Sequence, residues 1–381
     1  MKRSLCLSGL VVLSFFAAQA CSSADPTVPV IGPHGGNNGG GGNGNNGGGV
    51  DSGGGASGDD AGSVTPPVDA GSVTMTSDDT WQTGKTLTTS ITIAAGVTVT
   101  IAPGAVVTAS SGVSITVLGT LKASSQTTHA KITGTTWNGI TVGAGGTLSL
   151  VGVDLENAMT ALATTGANMD ATYDYGTILA ASAPFSVGAG GKLSTAHSHV
   201  AGTKGMSNVA GSFTASFLSY DSGGNEGISL SDPAATLTID DSKFFGTGVN
   251  SGDMINGSGA KIHFAYSEIT AVHCAFHFNN VTQFDIDHAN IHGNSYGFML
   301  YGSGSTGTRT VGFSNIVSNA SYGADEGSAQ TVNGPITFHD GYWAMNGTSA
   351  TNNVRKTTNA ITVTNMSTTT PVVGVGPRGA L

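Results

Sequence analysis

The sequence predicts an all-β fold of short, stacked coils, and three observations predict it. Apolar residues alternate with Thr and Ser at a period of two after Trp81, as in Val97, Val99 and Ile101, then Val113, Ile115 and Val117. That alternation puts one face of a strand into a core. The strand pattern also returns at near-regular intervals. Strands opening at Leu193, Phe213, Leu237, Ile262, Phe284, Val311 and Ile336 are about 20–27 residues apart, with Leu148 and Met169 opening earlier ones. A unit of that size is too small to bury its own core and must stack on its neighbours. Finally, 59 of the 381 residues are Gly and only 9% are charged, a composition poor in helix formers.

The same features exclude other classes. No helical period separates the strands, so alternating βα units are out. Thirteen Lys and Arg against 23 Asp and Glu, with no basic cluster, leave nothing to neutralise phosphates, and no nucleic-acid partner is expected. Three Cys spread along the chain do not make a disulfide scaffold. After residue 25 no apolar run reaches the ~20 residues of a spanning helix.

Taken in order, Lys2 and Arg3 precede the apolar stretch Leu5 to Ala20, which reads as a signal peptide over residues 1–20. Ala18-x-Ala20 is an ordinary small-residue cleavage site of a secreted protein, and Ala18-Gln19-Ala20-Cys21 also resembles a bacterial lipobox, the reading preferred here. That resemblance implies lipidation of Cys21 and contact with the membrane only through the lipid. Ser22 stands where inner-membrane lipoproteins commonly carry Asp, so the resemblance implies the outer membrane, at its periplasmic face or at the cell surface. Residues 21–79 read as a tether. Residues 35–49 contain only Gly and Asn, and such a stretch buries too little apolar surface to offset its chain entropy. A coil of this length reaches ~40 Å r.m.s.. Its acids, Asp25, Asp51, Asp59, Asp60, Asp69, Asp78 and Asp79, are read as solubilising.

Residues 80–370 carry the repeat, and 371–381 form a C-terminal tail. Each opening strand is followed by a second element, as in Gly227-Ile-Ser-Leu230, Gly252-Asp-Met-Ile255, Ala275-Phe-His-Phe278 and Gly297-Phe-Met-Leu300. Phrases such as Ile291-His-Gly-Asn294 and Ile316-Val-Ser-Asn319 put Asn at bends. Asn tolerates positive φ there and can stack into a ladder.

Thr98–Ala109, Ile115–Leu121, Trp137–Ile140 and the stretch Ile291–Ser303 carry a resemblance to the right-handed parallel β-helix of the pectin-lyase-like superfamily. The first three phrases look like the opening coils of bacterial β-helix lipoproteins. Ile291–Ser303 looks like the repeat of periplasmic β-helix proteins that accompany copper-enzyme maturation, and of carbohydrate-active relatives. The resemblance implies about 12 coils stacked ~4.8 Å apart, a rod of roughly 60 Å. It specifies fold far better than function.

Aligning the coils sorts side chains into columns. The inward pairs read Leu237/Ile239, Ile262/Phe264, Phe284/Ile286, Val311/Phe313 and Ile336/Phe338. Three outward columns read Thr238, His263, Asp285, Gly312, Thr337; then Asp240, Ala265, Asp287, Ser314, His339; then Asp241, Tyr266, His288, Asn315, Asp340. Neighbours in a column lie ~5 Å apart. Asp240, Asp241, His263, Tyr266, Asp285, Asp287, His288, His339 and Asp340 are therefore the candidate binding residues of one face. Carboxylates and imidazoles at that spacing also suit general acid/base cleavage of a glycosidic bond, with Asp240, Asp285, Asp287 and His288 as candidates. The Asp oxygens suit Ca²⁺, and His with Asp would equally suit a transition metal; Ca²⁺ is the preferred ion, and no other cofactor is expected. The resemblance argues against catalysis, because the Asn-Thr-Asp, Gly-His-Gly and Arg-Ile-Lys motifs of polygalacturonase-type hydrolases are missing and only Asp240-Asp241 matches their Asp-Asp. Lys243, Lys261 and Arg309 stand outside these columns, unlike the base of pectate-type lyases.

His273 and His277, and His288 and His292, have a spacing that gathers ligands on a helix. Here they fall on strands and bends, so no metal is assigned to them. Cys274 opens a strand and reads as a buried small residue. The expected function is a monomeric envelope lipoprotein that presents a non-catalytic, polysaccharide-binding or adhesive face. A polysaccharide lyase or glycoside hydrolase on that face, and a purely structural rod, are the rivals.

Overall fold

The computed structural model of the protein describes residues 71–301, 307–326, 335–356 and 361–379. Cys21, the signal peptide and most of the tether lie outside these residues. The described chain is a parallel β-solenoid of about 12 turns. Three parallel sheets of 13, 13 and 12 strands run along it, and each coil contributes one strand to each sheet in turn. A single 3₁₀ turn, Ala350–Asn352, is the helical structure among the described residues.

The apolar residues stack inward in unbroken columns. On the third sheet a single inward position runs through Val107, Ile132, Leu155, Ile178, Val200, Tyr220, Phe244, Ile269, Ile291, Ile316 and Trp343, each in register with the next. All of these are buried. The second sheet carries two inward positions per strand. Leu237/Ile239, Ile262/Phe264 and Phe284/Ile286 stack as the alternation predicts, with Phe264 and Ile286 fully buried.

The next coil departs from the expected register. Arg309 pairs with Phe284 and Val311 with Ile286, so the inward pair is Arg309/Val311 and not Val311/Phe313. Phe313 falls beyond the strand, at φ 44°, and is exposed. The strand Arg309–Gly312 opens on a charged residue that apolar alternation assigns to solvent. Its guanidinium is buried nonetheless, and burial depresses its pKa. The outward columns shift with it: Thr310 replaces Gly312, Gly312 replaces Ser314, and Phe313 replaces Asn315. A similar slip affects Met169, because the inward pair of that coil is Ala171/Tyr173.

Both ends of the repeat also differ from the sequence boundaries. The first strand is Val73–Met75, so the first coil starts before residue 80. Asp78 accepts a hydrogen bond from the Thr98 amide at 2.8 Å, and Asp79 pairs with Lys85 at 3.1 Å. These two acids belong to the solenoid and not to the tether. At the other end, the tail folds back along the coils.

Two bends repeat along the stack. From Asp170–Asp174 onward each strand of the second sheet is followed by one residue at positive φ: Tyr175, His197, Phe217, Asp241, Tyr266, His288, Phe313, Asp340 and Asn365, all between 44° and 56°. Left-handed backbone costs non-Gly residues about 1–2 kcal/mol. Here it is supported by an amide bond to the next coil, as from Tyr266 to the Asp287 carbonyl at 3.1 Å, and by ring stacking between neighbours. The other bend carries the expected Asn ladder, one position away from the left-handed residue. Gly293, Ser318 and Met345 hold positive φ, and the next residues, Asn294, Asn319 and Asn346, point inward. Their side-chain amides donate in series, Asn294 to Asn319 at 3.2 Å, Asn319 to Asn346 at 2.9 Å and Asn346 to Asn353 at 2.9 Å. Buried amides are tolerated because each also donates to a backbone carbonyl or accepts from a backbone amide.

Candidate functional site

The second sheet brings the centre of the predicted face together. Thr238, His263 and Asp285 are direct neighbours on successive coils. The His263 ring lies between two carboxylates, Nε2 at 3.7 Å from Asp240 and Nδ1 at 3.3 Å from Asp285. Thr310 donates to Asp285 at 3.0 Å from the following coil. These side chains stay accessible, at 38% for Asp240, 41% for His263 and 56% for Asp285, so solvent screens them. Beside them a shallow depression of about 250 Å³ is lined by Thr236, Thr238, Lys261, His263, Gln283 and Asp285, with parts of Leu237 and Ile262.

The outer members of the predicted set divide. Asp287 and His288 pair with each other at 2.7 Å, as do His339 and Asp340 at 3.0 Å. The His339 ring lies over Gly312, where a Cβ would overlap it. Hydrogen bonds from His339 and Asn365 hold the Asp340 carboxyl below the usual range. Asp241 and Tyr266 are engaged by the chain itself. Arg378 forks onto Asp241 at 2.8 and 2.7 Å, and its guanidinium lies 3.5 Å over the Tyr266 ring. Asp241 is buried, and the Arg378 hydrogen bonds hold its carboxyl below the usual range. The tail reaches this point by following the bend. Val372 exchanges two bonds with Asn315, the Gly376 amide donates to the His288 carbonyl, and Gly379 packs against Phe217.

A second cluster lies on the first sheet, where the sequence reading assigned no site. Asp253 precedes the strand Ile255–Ser258, and Cys274 opens the next strand, Cys274–Asn279. His273 and His277 both meet the Asp253 carboxylate, at 2.8 Å to Oδ1 and 2.5 Å to Oδ2. A spacing of four therefore does not separate the two rings here. Four is an even step, and even steps return side chains to one face of a strand. The Cys274 amide donates to the same Oδ1 at 3.2 Å, and its Sγ lies 3.3 Å from His273 Nδ1. By contrast His288 and His292 diverge, the first to Asp287 and the second to Glu268 at 2.6 Å.

Burial alone would raise the Asp253 carboxyl, but hydrogen bonds from His273 and His277 overcome it and hold the group well below the usual range. The bond to Asp253 raises His273 in turn. Burial, then the Asp253 charge, pushes the Cys274 thiol up. Outward from His277 the column continues through Met299, Asp325 and Arg355. Arg355 binds buried Asp325 through two nitrogens, at 2.5 and 2.6 Å, and covers the Tyr322 ring at 4.6 Å. Asp253 was missed because nothing around Gly252-Asp-Met-Ile255 marks it. Its role depends on which residues the next coil sets above it.

No family model and no curated protein matches this chain.

Proposed function

We propose that the protein is an envelope lipoprotein, anchored through Cys21 at the outer membrane, with a β-helix of the pectin-lyase-like kind that binds polysaccharide on its second sheet without cleaving it. One observation carries this reading: the line Asp240–His263–Asp285, flanked by Thr238, Thr310 and Gln283, on an open face beside a shallow depression. A row of hydrogen-bonding groups at coil spacing suits an extended chain of hydroxyls laid along the stack. Catalysis fits less well. Acid/base cleavage favours a carboxyl tuned upward in a water-excluded site, and these carboxylates are solvated. The engagement of Asp241 and Tyr266 by Arg378 narrows the binding set to Asp240, His263, Asp285, Asp287, His288, His339 and Asp340, with Ca²⁺ as the ion these carboxylates would share with an acidic glycan.

The test is a glycan array followed by calorimetry with acidic polysaccharides, with and without Ca²⁺, assayed also for released product. Binding that the double variant Asp285→Asn, Asp287→Asn abolishes, with no product, supports the proposal. Shortened product chains would make the protein an enzyme, and silence of the wild type on every glycan would remove the binding role. Fractionation of Cys21→Ser tests the anchor separately. Release from membranes is expected, and a variant still membrane-bound overturns the lipid attachment.

A further inference from the structure

We infer that Asp253, Cys274 and His277 form a transition-metal site for Zn²⁺ or an ion of similar borderline character on the first sheet. One carboxylate oxygen, the Cys274 sulfur and a ring nitrogen of His277 lie within 4.8 Å of one another. In a tetrahedral zinc site with bonds of ~2.0–2.3 Å the ligand atoms sit roughly 3.3–3.8 Å apart, so small side-chain rotations close the set. The three residues come from two adjacent coils that amide bonds hold together: Met254 donates to the Cys274 carbonyl at 2.8 Å, and Cys274 donates to Asp253 at 3.2 Å. The frame is therefore set before any ion arrives.

The donor types select the ion. Ca²⁺ and Mg²⁺ take six or more oxygens, and this site offers one carboxylate beside sulfur and nitrogen. Thiolate and imidazole favour zinc and its neighbours. The Met299 sulfur, 4.0 Å from Cys274 Sγ, adds a polarisable wall. Cys274 is fully buried, the Asp253 side chain is 13% accessible and His277 27%, so the site is closed behind the sulfur and open at the imidazole. Three protein ligands with an open fourth position match zinc sites that keep a water or take a ligand. His273, bonded to Asp253 Oδ1 and 3.3 Å from Cys274 Sγ, is a positioning residue that orients the carboxylate beside the sulfur.

On binding, the Cys274 thiol loses its proton to solvent and coordinates as thiolate. His277 exchanges its Nδ1–H bond to Asp253 for one to the metal: the Nδ1 proton leaves to solvent, and the neutral ring that coordinates through Nδ1 carries its proton on Nε2, kept there or taken up from solvent. Asp253 keeps its bonds to His273 and to the Cys274 amide.

The experiment is equilibrium dialysis of the full chain against Zn²⁺, with bound metal counted by mass spectrometry. One Zn²⁺ per chain is expected. Cys274→Ser and His277→Gln should each weaken binding at least tenfold, and His199→Gln on the third sheet should not change it. Co²⁺ in place of Zn²⁺ should give a thiolate-to-cobalt charge-transfer band that Cys274→Ser abolishes. Zn²⁺ should also slow alkylation of Cys274. Circular dichroism of each variant establishes that the coils remain folded. Binding by Cys274→Ser equal to wild type, less than stoichiometric Zn²⁺ in the wild type, or a cobalt spectrum without charge transfer overturns the site and leaves a His–Asp–His hydrogen-bond cluster in its place.

Discussion

The first coils and the last coils share one geometry and differ in what they carry. Up to Val142 the second and third sheets and their neighbours enclose mainly Ile, Val, Leu and Ala, and the outward positions are mostly Thr and Ser. From Tyr173 and Phe185 onward the core turns aromatic. Phe264 meets Phe276 edge-on at 5.2 Å, Phe276 stacks on Phe298 at 5.0 Å, and Phe338 meets Trp343 at 4.9 Å. The outward positions of these coils hold His263, His273, His277, His288, His292 and His339, each against a carboxylate. Parallel in-register stacking therefore imposes little on outward chemistry. It holds any side chain ~4.8 Å from its counterpart on the next coil, and a reactive constellation forms wherever titratable residues coincide in a column.

The largest expected effect probes the aromatic half. Phe264→Asp puts an unpaired charge among Phe244, Phe276 and the stacked aliphatics, at a cost of several kcal/mol. Thermal melting should report loss of the folded coils, and an unchanged melt would mean the inward column is misplaced. Next, Phe276→Ala should cost ~3–5 kcal/mol, and Ile115→Val in the aliphatic half only ~0.5–1.5 kcal/mol. Equal denaturant midpoints for these two would erase the contrast between the halves. Asn319→Ala interrupts the ladder and leaves the buried Asn294 amides without their acceptor, for about 1–3 kcal/mol by denaturant titration.

A smaller effect has a pH signature. Arg378 depresses the Asp241 carboxyl in the folded state. The stabilisation from that pair is therefore present above the unfolded carboxylate pKa of ~3.9 and is lost as pH falls through the lower folded value. Arg378→Ala should lower the melting temperature near neutral pH, and its difference from wild type should vanish in acid. A difference that persists at low pH would assign the effect to packing on Tyr266. Least of all, Asp285→Asn with Asp287→Asn should shift stability by less than ~0.5 kcal/mol, since both side chains are solvated.

Alternation and repeat spacing were enough to read the architecture, because each strand's inward residues must be apolar and each coil must match the next. The reading slipped at Arg309, where a charged residue takes an inward place and no apolar pattern reports it. The Asp240–His263–Asp285 line was legible for the same reason as the core: it lies within regular strands whose register the core sets. The Asp253 cluster was not, because Asp253, His273 and Cys274 sit at strand starts, where the chain direction changes and the period of two stops carrying information. The Asp241–Arg378 pair joins residues 137 positions apart, and no local pattern encodes such a contact.

That long-range pair alters how the stack can come apart. Coils that touch only their neighbours open like a zipper, each unit nearly independent of the distant ones. The returning tail touches Asn315, His288, Tyr266, Asp241 and Phe217, which belong to five successive coils. Opening any one of these coils means lifting the strip that also rests on the other four. Amide hydrogen exchange across these five coils should therefore slow down as one cooperative block, and the first coils, which the described tail does not reach, should exchange one after another from the Val73–Met75 end.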